Sequence, residues 1–435
     1  MLFVQVRSPL TANHPPLSAA TVDNPCSRGK LSFMTRKLAA LALALCLGSF
    51  AHANDWPNWR GPNYNGISSE TGWTTKWPAE GPKQLWKTSV GIGFSSMSVA
   101  RNHVYTMGNS ADQDTVFCFD AATGKVVWKH SYACALDPKY YEGGPSVTPT
   151  VAGNRVFTLS RKGDVFCLDA DSGKVIWNKN VAKEVGAEIP TWGLAGSVYF
   201  EKGRAYLNVG AAGTALDAKT GKVIWKSGTA AAGYSTPEPA TFDGKSTLVL
   251  MAKKTIVAVD KKDGHELWSY PWESMYDVNA AQPIVDGDKV FVSSGYNHGC
   301  ALLNVKGNKP EKLWENKNLR NHINSSVVLD QFIYGFDGDA NHGTAFVCLN
   351  MSSGDVKWKN EQYKTGSLMV ADHKLIILSD KGELIIAEVS TDGFKPLVQA
   401  QVLGGRCWTQ PVLSNGRIYC RNAKGDLVCL DVKAS

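Results

Sequence analysis

Short runs of β-branched and aromatic residues recur along the chain, and each is too short to be a helix. The eight clearest runs occupy residues 104–106, 156–158, 205–207, 248–250, 290–292, 333–335, 375–377 and 418–420. Turn dipeptides such as Asp243-Gly244 and Asn415-Gly416 separate neighbouring runs. No helical period of any length is present. The pattern predicts an all-β protein built from antiparallel meanders.

A ten-residue unit repeats behind these runs. Its clearest copies are residues 119–128, 168–177 and 216–225, which share the pattern D-A-x-T/S-G-K-V-x-W after one apolar residue. Weaker copies span residues 260–268, 304–314 (with two extra residues), 350–358, 388–397 (which has lost its Trp) and 428–431 (which stops before its Trp). The Asp carboxylate can accept turn N–H groups and the Gly can adopt positive φ, so the unit predicts a turn followed by an outer strand.

The tryptophans of these units have a regular spacing. Trp86, Trp128, Trp177, Trp225, Trp268, Trp314 and Trp358 are separated by 42, 49, 48, 43, 46 and 44 residues. This period is typical of one four-stranded propeller blade. We therefore predict an eight-bladed β-propeller over residues 85–435, with four-stranded antiparallel blades. One tryptophan at the same position of each repeat indicates a structural role, docking one blade onto the next.

The two ends of the repeat region are complementary. Residues 85–89 form a Trp strand with no preceding blade, whereas the last blade, residues 409–432, ends without its Trp strand. We predict that the N-terminal strand completes the last blade and closes the ring.

The first 53 residues have the features of a targeting sequence rather than of a fold. Arg36 and Lys37 precede an apolar stretch, residues 38–50, and the small-x-small pattern of residues 51–53 follows. We expect a signal peptide at about residues 34–53 after an upstream extension, with the start codon left open, and a Trp/Pro/Gly-rich segment at residues 54–84. A lipid anchor at Cys46 is disfavoured because Leu45 is bulky where a lipobox requires a small residue.

Composition excludes several classes of protein. With 43% hydrophobic and 20% charged residues, the chain can bury a core and is not disordered. The leader holds five basic residues and one acidic residue, so its removal lowers the net charge from +7 to +3. There is no general case for nucleic acid binding, and no apolar run in the mature chain is long enough to span a membrane.

Eight of the ten cysteines lie in the mature chain. Four of them each lie two residues before the motif Asp or Asn, which favours small buried side chains; they are Cys118, Cys167, Cys348 and Cys429. The disulfide state of the other four is left open; they are Cys134, Cys300, Cys407 and Cys420. No pair has C-x-x-C spacing, and no Cys/His cluster indicates a metal site.

The loops that precede the first strands gather at one mouth of a propeller, so their side chains are the candidates for a binding site. These side chains are Tyr141, Glu142, Trp192, Tyr234, Tyr276, Asp277, Asn279, His322, Asn324, Arg406 and Trp408. Glu142, Asp277 and Asn279 offer the oxygen ligands that Ca²⁺ prefers. No serine-hydrolase, P-loop or zinc-protease motif is present, and no catalytic or metal-binding residue is assigned.

The repeat unit resembles the tryptophan-docking motif of the pyrroloquinoline quinone (PQQ)-like β-propellers, over the range from Trp86 to Ser435. This family includes the quinoprotein alcohol dehydrogenases and the non-catalytic outer-membrane assembly lipoprotein BamB, to which the chain is most similar in size. Residues 55–62 also look like the opening of secreted bacterial PQQ-like repeat proteins. The resemblance implies the fold; activity has to be argued from the site.

Two functions are consistent with this resemblance. The quinoproteins hold PQQ against a Trp beside a vicinal disulfide and a Ca²⁺ ion, but this chain has no adjacent cysteines and no length for inserts beyond the blades. We therefore favour a non-catalytic scaffold without a cofactor, exported to the periplasm or cell envelope. It would bind a protein segment or a glycan through its funnel, as a monomer or a subunit of an envelope complex. The alternative is a PQQ- and Ca²⁺-dependent alcohol or sugar dehydrogenase.

Overall fold

Strands dominate residues 55–434, the part of the chain that this computed structural model describes. They form eight separate sheets, which confirms the predicted all-β, eight-bladed propeller of four-stranded antiparallel blades. Two short helical segments interrupt the described strands: the α-helix α1, Val181–Val185, and a 3₁₀ turn, Met275–Asp277. The predicted signal peptide and upstream extension lie outside the described residues. No helix among the described residues is long and apolar enough to cross a bilayer.

Blades I to IV are formed by consecutive strands. Blade I contains β3 Ser98–Ala100, β4 His103–Ser110, β5 Gln113–Asp120 and β6 Val126–Ala133. Blade II contains β7 Thr150–Ala152, β8 Arg155–Leu159, β9 Asp164–Asp169 and β10 Val175–Asn180. Blade III contains β11 Tyr199–Glu201, β12 Arg204–Leu207, β13 Thr214–Asp217 and β14 Val223–Lys226. Blade IV contains β15 Glu238–Phe242, β16 Lys245–Met251, β17 Thr255–Asp260 and β18 Glu266–Pro271.

Blades V to VIII complete the ring, and the last two also take strands from the N-terminal region. Blade V contains β19 Ile284–Asp286, β20 Lys289–Ser294, β21 Gly299–Lys306 and β22 Lys309–Asn316. Blade VI contains β23 Val327–Leu329, β24 Phe332–Asp339, β25 His342–Asn350 and β26 Val356–Asn360. Blade VII contains β27 Gly366–Ala371, β28 Lys374–Ser379, β29 Glu383–Glu388 and β30 Lys395–Gln401, with β1 Ile67–Ser68 as a fifth strand. Blade VIII contains β31 Val412–Ser414, β32 Arg417–Arg421, β33 Asp426–Asp431 and β2 Gln84–Ser89.

The burial of the strands defines their radial order. The first strand of a blade is mostly buried, and first strands of neighbouring blades contact each other, as β3 does with β7 and β7 with β11. The fourth strands alternate between buried and exposed positions, as in β6. The first strands therefore surround the central axis, and the fourth strands form the rim.

The ring closes as predicted. The N-terminal strand β2 pairs antiparallel with β33, with Trp86 opposite Cys429 and Ser89 opposite Asp426. Blade VIII thus contains strands from both ends of the propeller, and β2 covers the strand edge that β33 would otherwise expose.

The repeat unit joins six of the eight pairs of neighbouring blades by a common geometry, clearest between blades VIII and I. Asp120 Oδ1 accepts hydrogen bonds from the Thr123 amide and hydroxyl and fixes the turn. The indole of Trp86 donates from Nε1 to the carbonyl of Ala121, at 3.0 Å. A Cβ at Gly124 (φ 68°) would lie 2.6 Å from the same indole, so only glycine leaves room for the ring. The unit is therefore a receptor for the tryptophan of the preceding blade.

The same indole hydrogen bond joins five more pairs of blades. The bonds run from Trp128 to Ala170 (2.8 Å), Trp177 to Ala218 (3.1 Å), Trp225 to Lys261 (3.1 Å), Trp314 to Met351 (2.9 Å) and Trp358 to Ser390 (2.9 Å).

Two blades depart from this geometry. The indole Nε1 of Trp268 is buried without a partner among the described residues, because the two extra residues of blade V replace the usual turn by a hairpin between Lys306 and Lys309. In blade VII the tryptophan position, opposite Ile386, is occupied by Val398, because the turn after Glu388 has two more residues than the turn after Asp120 in blade I. The sequence pattern had placed the lost tryptophan at Leu397.

The eight cysteines in residues 55–434 are buried and unbridged. The four motif cysteines lie opposite docking tryptophans, as Cys118 does opposite Trp128 and Cys348 opposite Trp358. Burial raises the pKa of Cys118 to about 12, so its thiol stays protonated at neutral pH.

Candidate functional site

One end of the axial channel is covered by the chain itself. Residues 55–74, which we call the floor segment, run along the carboxyl ends of the first strands. Trp56 exchanges two backbone hydrogen bonds with Val99 of blade I, and the Pro57 carbonyl accepts from Val151 of blade II. Further on, β1 pairs in parallel with β27 of blade VII. Together with the side-chain contacts of Tyr64 to blade III and Arg60 to blade VI, these contacts reach blades on opposite sides of the axis, so the segment crosses this end of the channel.

The remaining contacts of the floor segment are made by side chains. Tyr64 packs edge-on against Tyr199 of blade III, with ring centroids 4.9 Å apart. The Glu70 carboxylate accepts hydrogen bonds from the backbone amides of Asn415 and Gly416 in blade VIII. These contacts hold the middle of the segment to blade III and its later part to blade VIII.

Arg60 lies at the centre of the floor segment and is 1% exposed. Its Nε donates to the Tyr64 carbonyl at 3.1 Å, and its Nη2 donates to the carbonyls of Asn65 (3.0 Å) and Ser326 (2.7 Å). Burial lowers the pKa of Arg60 to about 10, so the guanidinium remains charged at neutral pH. It curls the segment and ties it to blade VI.

Above the floor, polar side chains join every pair of neighbouring blades, in what we call the axial polar ring. They lie at or just before the first strands, where side chains of adjacent blades meet. Its bonds are Ser96 N to Thr148 Oγ1, Thr148 N to Ser197 Oγ, Ser197 N to Thr236 Oγ1, Gln282 Nε2 to Glu238 Oε2, Gln282 N to Ser325 Oγ, Asn324 Nδ2 to Gly366 O, Ser367 Oγ to Thr409 O and Ser96 Oγ to Gln410 O. The ring therefore ties the inner parts of all eight blades together.

At the open end, loops of blades VIII, I and II bring five side chains together as the mouth cluster. Arg406 Nη1 lies 2.7 Å from Glu142 Oε2, and its guanidinium lies 4.4 Å above the ring of Trp408. Phe94 stacks on Trp408 at 5.3 Å and packs against Tyr141 at 5.5 Å. An ion pair between the loops of blades VIII and II thus lies beside an aromatic cluster in which Phe94 of the blade I loop contacts both Trp408 and Tyr141.

A second group of mouth side chains lies between blades II and IV. The rings of Trp192 and Tyr234 meet edge to face at 6.1 Å. Arg161, itself 2% exposed, donates to the Trp192 carbonyl and pairs with Asp137 at 3.2 Å. Burial raises the pKa of Tyr234 to about 12, so its hydroxyl stays neutral.

The blade V loop divides its three candidates between the surface and the interior. Tyr276 is 65% exposed, and its φ of 61° is uncommon for a non-glycine residue. Asp277 pairs with Lys253 at 3.5 Å. Asn279 is fully buried: its amide donates to three backbone carbonyls, including that of Trp272, and its oxygen accepts from Ser294. Asn279 therefore holds the loop in place and cannot face a ligand.

The blade VI loop contributes His322 and Asn324. The Nδ1 atom of His322 accepts from the Ala340 amide at 3.0 Å, and Tyr296 packs edge-on against its ring at 4.6 Å. Burial lowers the pKa of His322, which favours the neutral ring. Asn324 donates to the Gly366 carbonyl in the axial polar ring. Both side chains are engaged in joining blades.

The three residues considered for Ca²⁺ do not form an oxygen cage. Glu142 is paired with Arg406, Asp277 with Lys253, and the Asn279 oxygen with Ser294. Within residues 55–434 no cluster of three or more His, Cys, Asp or Glu side chains has the arrangement of a metal site. The Arg406 guanidinium and the Phe94 ring already pack against the Trp408 ring. A flat cofactor would have to displace them in order to stack there. The donor set does not fit PQQ with Ca²⁺, and we derive no step through that cofactor.

Three side chains of the mouth escaped the sequence argument: Phe94, Arg161 and Tyr296. Phe94 precedes the first strand of blade I, so the rule used for the other blades would have found it. Arg161 and Tyr296 lie in loops between second and third strands, which reach the same end of the propeller. That geometry follows from a four-stranded meander and could have been used.

A surface groove of about 350 Å³ lies elsewhere, between blades VI and VII on the floor side. It is lined by Tyr334, Ser390 and Lys395 among others. The groove is found where the motif of blade VII is degraded and lacks the usual turn, so we attribute it to the loss of that turn.

These features define an eight-bladed propeller with tryptophan-docked blades, a channel closed at one end, and an open mouth with aromatic and charged side chains. The family model described as outer membrane protein assembly factor BamB matches residues 112–360. This match covers more than half of the chain, so the protein belongs to that family of PQQ-like repeat propellers, which confirms the resemblance read from the repeat.

Solved structures with the same fold include both BamB and quinoprotein dehydrogenases. BamB from Moraxella catarrhalis has a TM-score of 0.59 at 15% identity, covering 80% of this chain and 99% of its own. Quinohemoprotein alcohol dehydrogenase from Comamonas testosteroni has a TM-score of 0.63 at 12% identity, and the match covers 88% of this chain and 81% of the dehydrogenase. A europium-containing methanol dehydrogenase has a TM-score of 0.63 at 14% identity, and the match covers 84% of this chain and 89% of that enzyme. At these identities the similarity shows the fold alone. No curated protein sequence matches the chain significantly.

Proposed function

We propose that this protein is an exported, non-catalytic scaffold of the periplasm or cell envelope that binds a protein segment or a glycan at its open mouth. The observation that carries the proposal is the closed channel. Because the floor segment spans one end, a partner has access only to the end where the mouth cluster, Trp192 and Tyr276 lie. Similarity to BamB supports a role in an envelope complex.

The side chains at the mouth suit recognition better than catalysis. Aromatic residues and arginine dominate the energetics of protein interfaces, and aromatic faces also bind sugar rings. The polar groups that could act as acid, base or ligand are instead paired with one another, as Glu142 is with Arg406. The mouth therefore offers contact surface without an activated group.

Photo-crosslinking in cells tests the proposal. A photoreactive phenylalanine analogue placed at Trp192 should give a defined adduct with an envelope component, whereas the same analogue at Leu397, on the outer strand of blade VII, should not. Trp192→Ala and Trp408→Ala should weaken capture of that component with little change in melting temperature. Equal crosslinking from both positions would contradict the proposal.

A cofactor assay separates the alternative function. Purified protein is titrated with PQQ and Ca²⁺ and supplied with alcohols, aldoses and a redox dye. We expect no reduction above background. Stoichiometric uptake of PQQ with Ca²⁺-dependent turnover would favour the dehydrogenase instead, and Glu142 and Asp277 would then be the first residues to replace.

A further inference from the structure

Glu238 is a carboxyl group at the axis that makes no ion pair with the described residues. The residue begins β15, next to the floor segment, and is 6% exposed. None of the ion pairs within residues 55–434 includes it. Its hydrogen-bond partner is the Gln282 amide, which donates from Nε2 to Oε2. A buried carboxylate without a cation is costly, so this environment favours the protonated acid.

Gln282 gives a second, independent indication. Its side-chain oxygen, Oε1, is buried and has no donor in the described part of the chain. A buried acceptor without a donor destabilises the folded state. A protonated Glu238 removes this cost, because its O–H can donate to Oε1 while the amide N–H donates back to the carboxyl group. The orphaned oxygen is thus explained by a paired carboxylic acid and amide.

Arg60 is the cation that acts on Glu238, but its hydrogen bonds go elsewhere. They hold the Tyr64 and Asn65 carbonyls within the floor segment and the Ser326 carbonyl of blade VI. Tyr64 is the other titratable group of the floor that faces Glu238, and burial keeps its pKa well above the usual range.

Among the described residues, the surrounding blades add no second cation that is free to pair with Glu238. Blade V presents the neutral Gln282, and in blade III the carboxylate of Glu201 is paired with Lys261 at 2.9 Å. The protonation of Glu238 therefore decides whether Arg60 has a carboxylate to attract it.

We propose that Glu238 is a proton-operated latch for the floor segment. In the protonated state it pairs with Gln282, and Arg60 bonds the floor to Ser326. When the proton leaves to solvent, the carboxylate draws the guanidinium from the Ser326 carbonyl, and the floor loosens from blade VI. Closure of the channel then depends on pH. The inference concerns the floor alone and is independent of what binds at the mouth.

The pH range follows from burial. Burial raises the pKa of Glu238 to about 8 against an ordinary value of 4.5, while the Gln282 amide and Arg60 lower it less. The folded state keeps a proton that the unfolded state releases. The latch therefore contributes fully to stability below pH 4.5, and its contribution is lost as the pH rises through about 8. Arg60, with a pKa of about 10, stays charged across this range.

Hydrogen exchange of the full chain tests the latch. Rates are normalised to the intrinsic rate at each pH, so that only protection is compared. Amides of residues 60–68 should lose protection about tenfold between about pH 6.5 and about pH 9, whereas the blade I amides should keep theirs. Equal protection of the floor at both pH values would overturn the proposal.

Two variants separate the latch from a general effect of pH. Glu238→Gln cannot ionise but still offers an N–H to Gln282, so its floor should stay protected at both pH values. Glu201→Gln, which removes a neighbouring charge, should respond as the wild type does. The infrared band of a protonated carboxyl group should be present near neutral pH and absent in Glu238→Gln. A pH response that persists in Glu238→Gln, or an unchanged band, would refute the latch.

Discussion

Substitution of phenylalanine for tryptophan at two equivalent positions isolates the docking hydrogen bond. Trp225 is 7% exposed and donates to the Lys261 carbonyl at 3.1 Å, whereas Trp268 is 4% exposed and has no acceptor among the described residues. Phenylalanine removes similar ring volume at both sites. At Trp225 it also leaves a carbonyl without its donor, so Trp225→Phe should cost about 1 kcal/mol more than Trp268→Phe.

The full contribution of a docking indole sets the upper limit. Trp225→Ala empties a site between two blades and should cost about 3–5 kcal/mol. Urea unfolding measured by far-UV circular dichroism gives the differences, provided that the slope with urea is the same in each variant. Leu397→Ala, at an outer-strand position that is 45% exposed, is the control and should cost about 0.5 kcal/mol or less. Equal losses in the two phenylalanine variants would refute a contribution from the hydrogen bond. A loss below about 1 kcal/mol in Trp225→Ala would refute the docking role itself.

Two further predictions concern other blade contacts. Gly173→Ala places a Cβ 2.6 Å from the Trp128 indole at φ 68°, whereas Gly153→Ala has a similar φ of 62° but no atom within 4 Å of its Cβ. The melting temperature of Gly173→Ala should therefore fall clearly below that of Gly153→Ala. Equal melting temperatures would mean that the indole does not require the glycine. Arg421→Met removes the donor of four bonds, two of them to the Ser95 and Met107 carbonyls at the closing seam, and should cost about 3 kcal/mol or more in urea unfolding. A neutral result at Arg421 would show that the cost of burying its charge cancels those bonds.

The fold could be predicted because each repeat contains the residues that make the contacts between neighbouring blades. Each unit contains both the tryptophan and the turn that receives the tryptophan of the preceding blade, so eight imperfect copies specify a ring. Trp86 and residues 428–431 identified the seam because each lacked what the other supplies. The position of Val398 could not be predicted, since the turn after Glu388 has two extra residues and no periodic pattern marks how many of them belong to the turn.

The sequence indicated which loops lie at the mouth, but not which of their side chains contact each other. The rule that loops before first strands converge named eleven candidate side chains. It could not show that Glu142 pairs with Arg406, 264 residues away, or that Asn279 turns inward to hold its own loop. Such pairings depend on side-chain directions within irregular loops, for which neither strand nor helix periodicity applies.

The floor segment had no signal in the sequence because its partners are mainly backbone atoms. First strands have an inner edge with unpaired N–H and C=O groups, and an eight-bladed ring leaves several such edges around one channel. Trp56 and Pro57 meet the edges of blades I and II, and β1 meets that of blade VII. Any chain of suitable length and turn chemistry could satisfy those groups, so hydrophobic periodicity is not required. A Trp/Pro/Gly-rich stretch ahead of a complete set of blades is therefore best interpreted as chain that covers the axis, and the buried Arg60 is the residue that fixes its path.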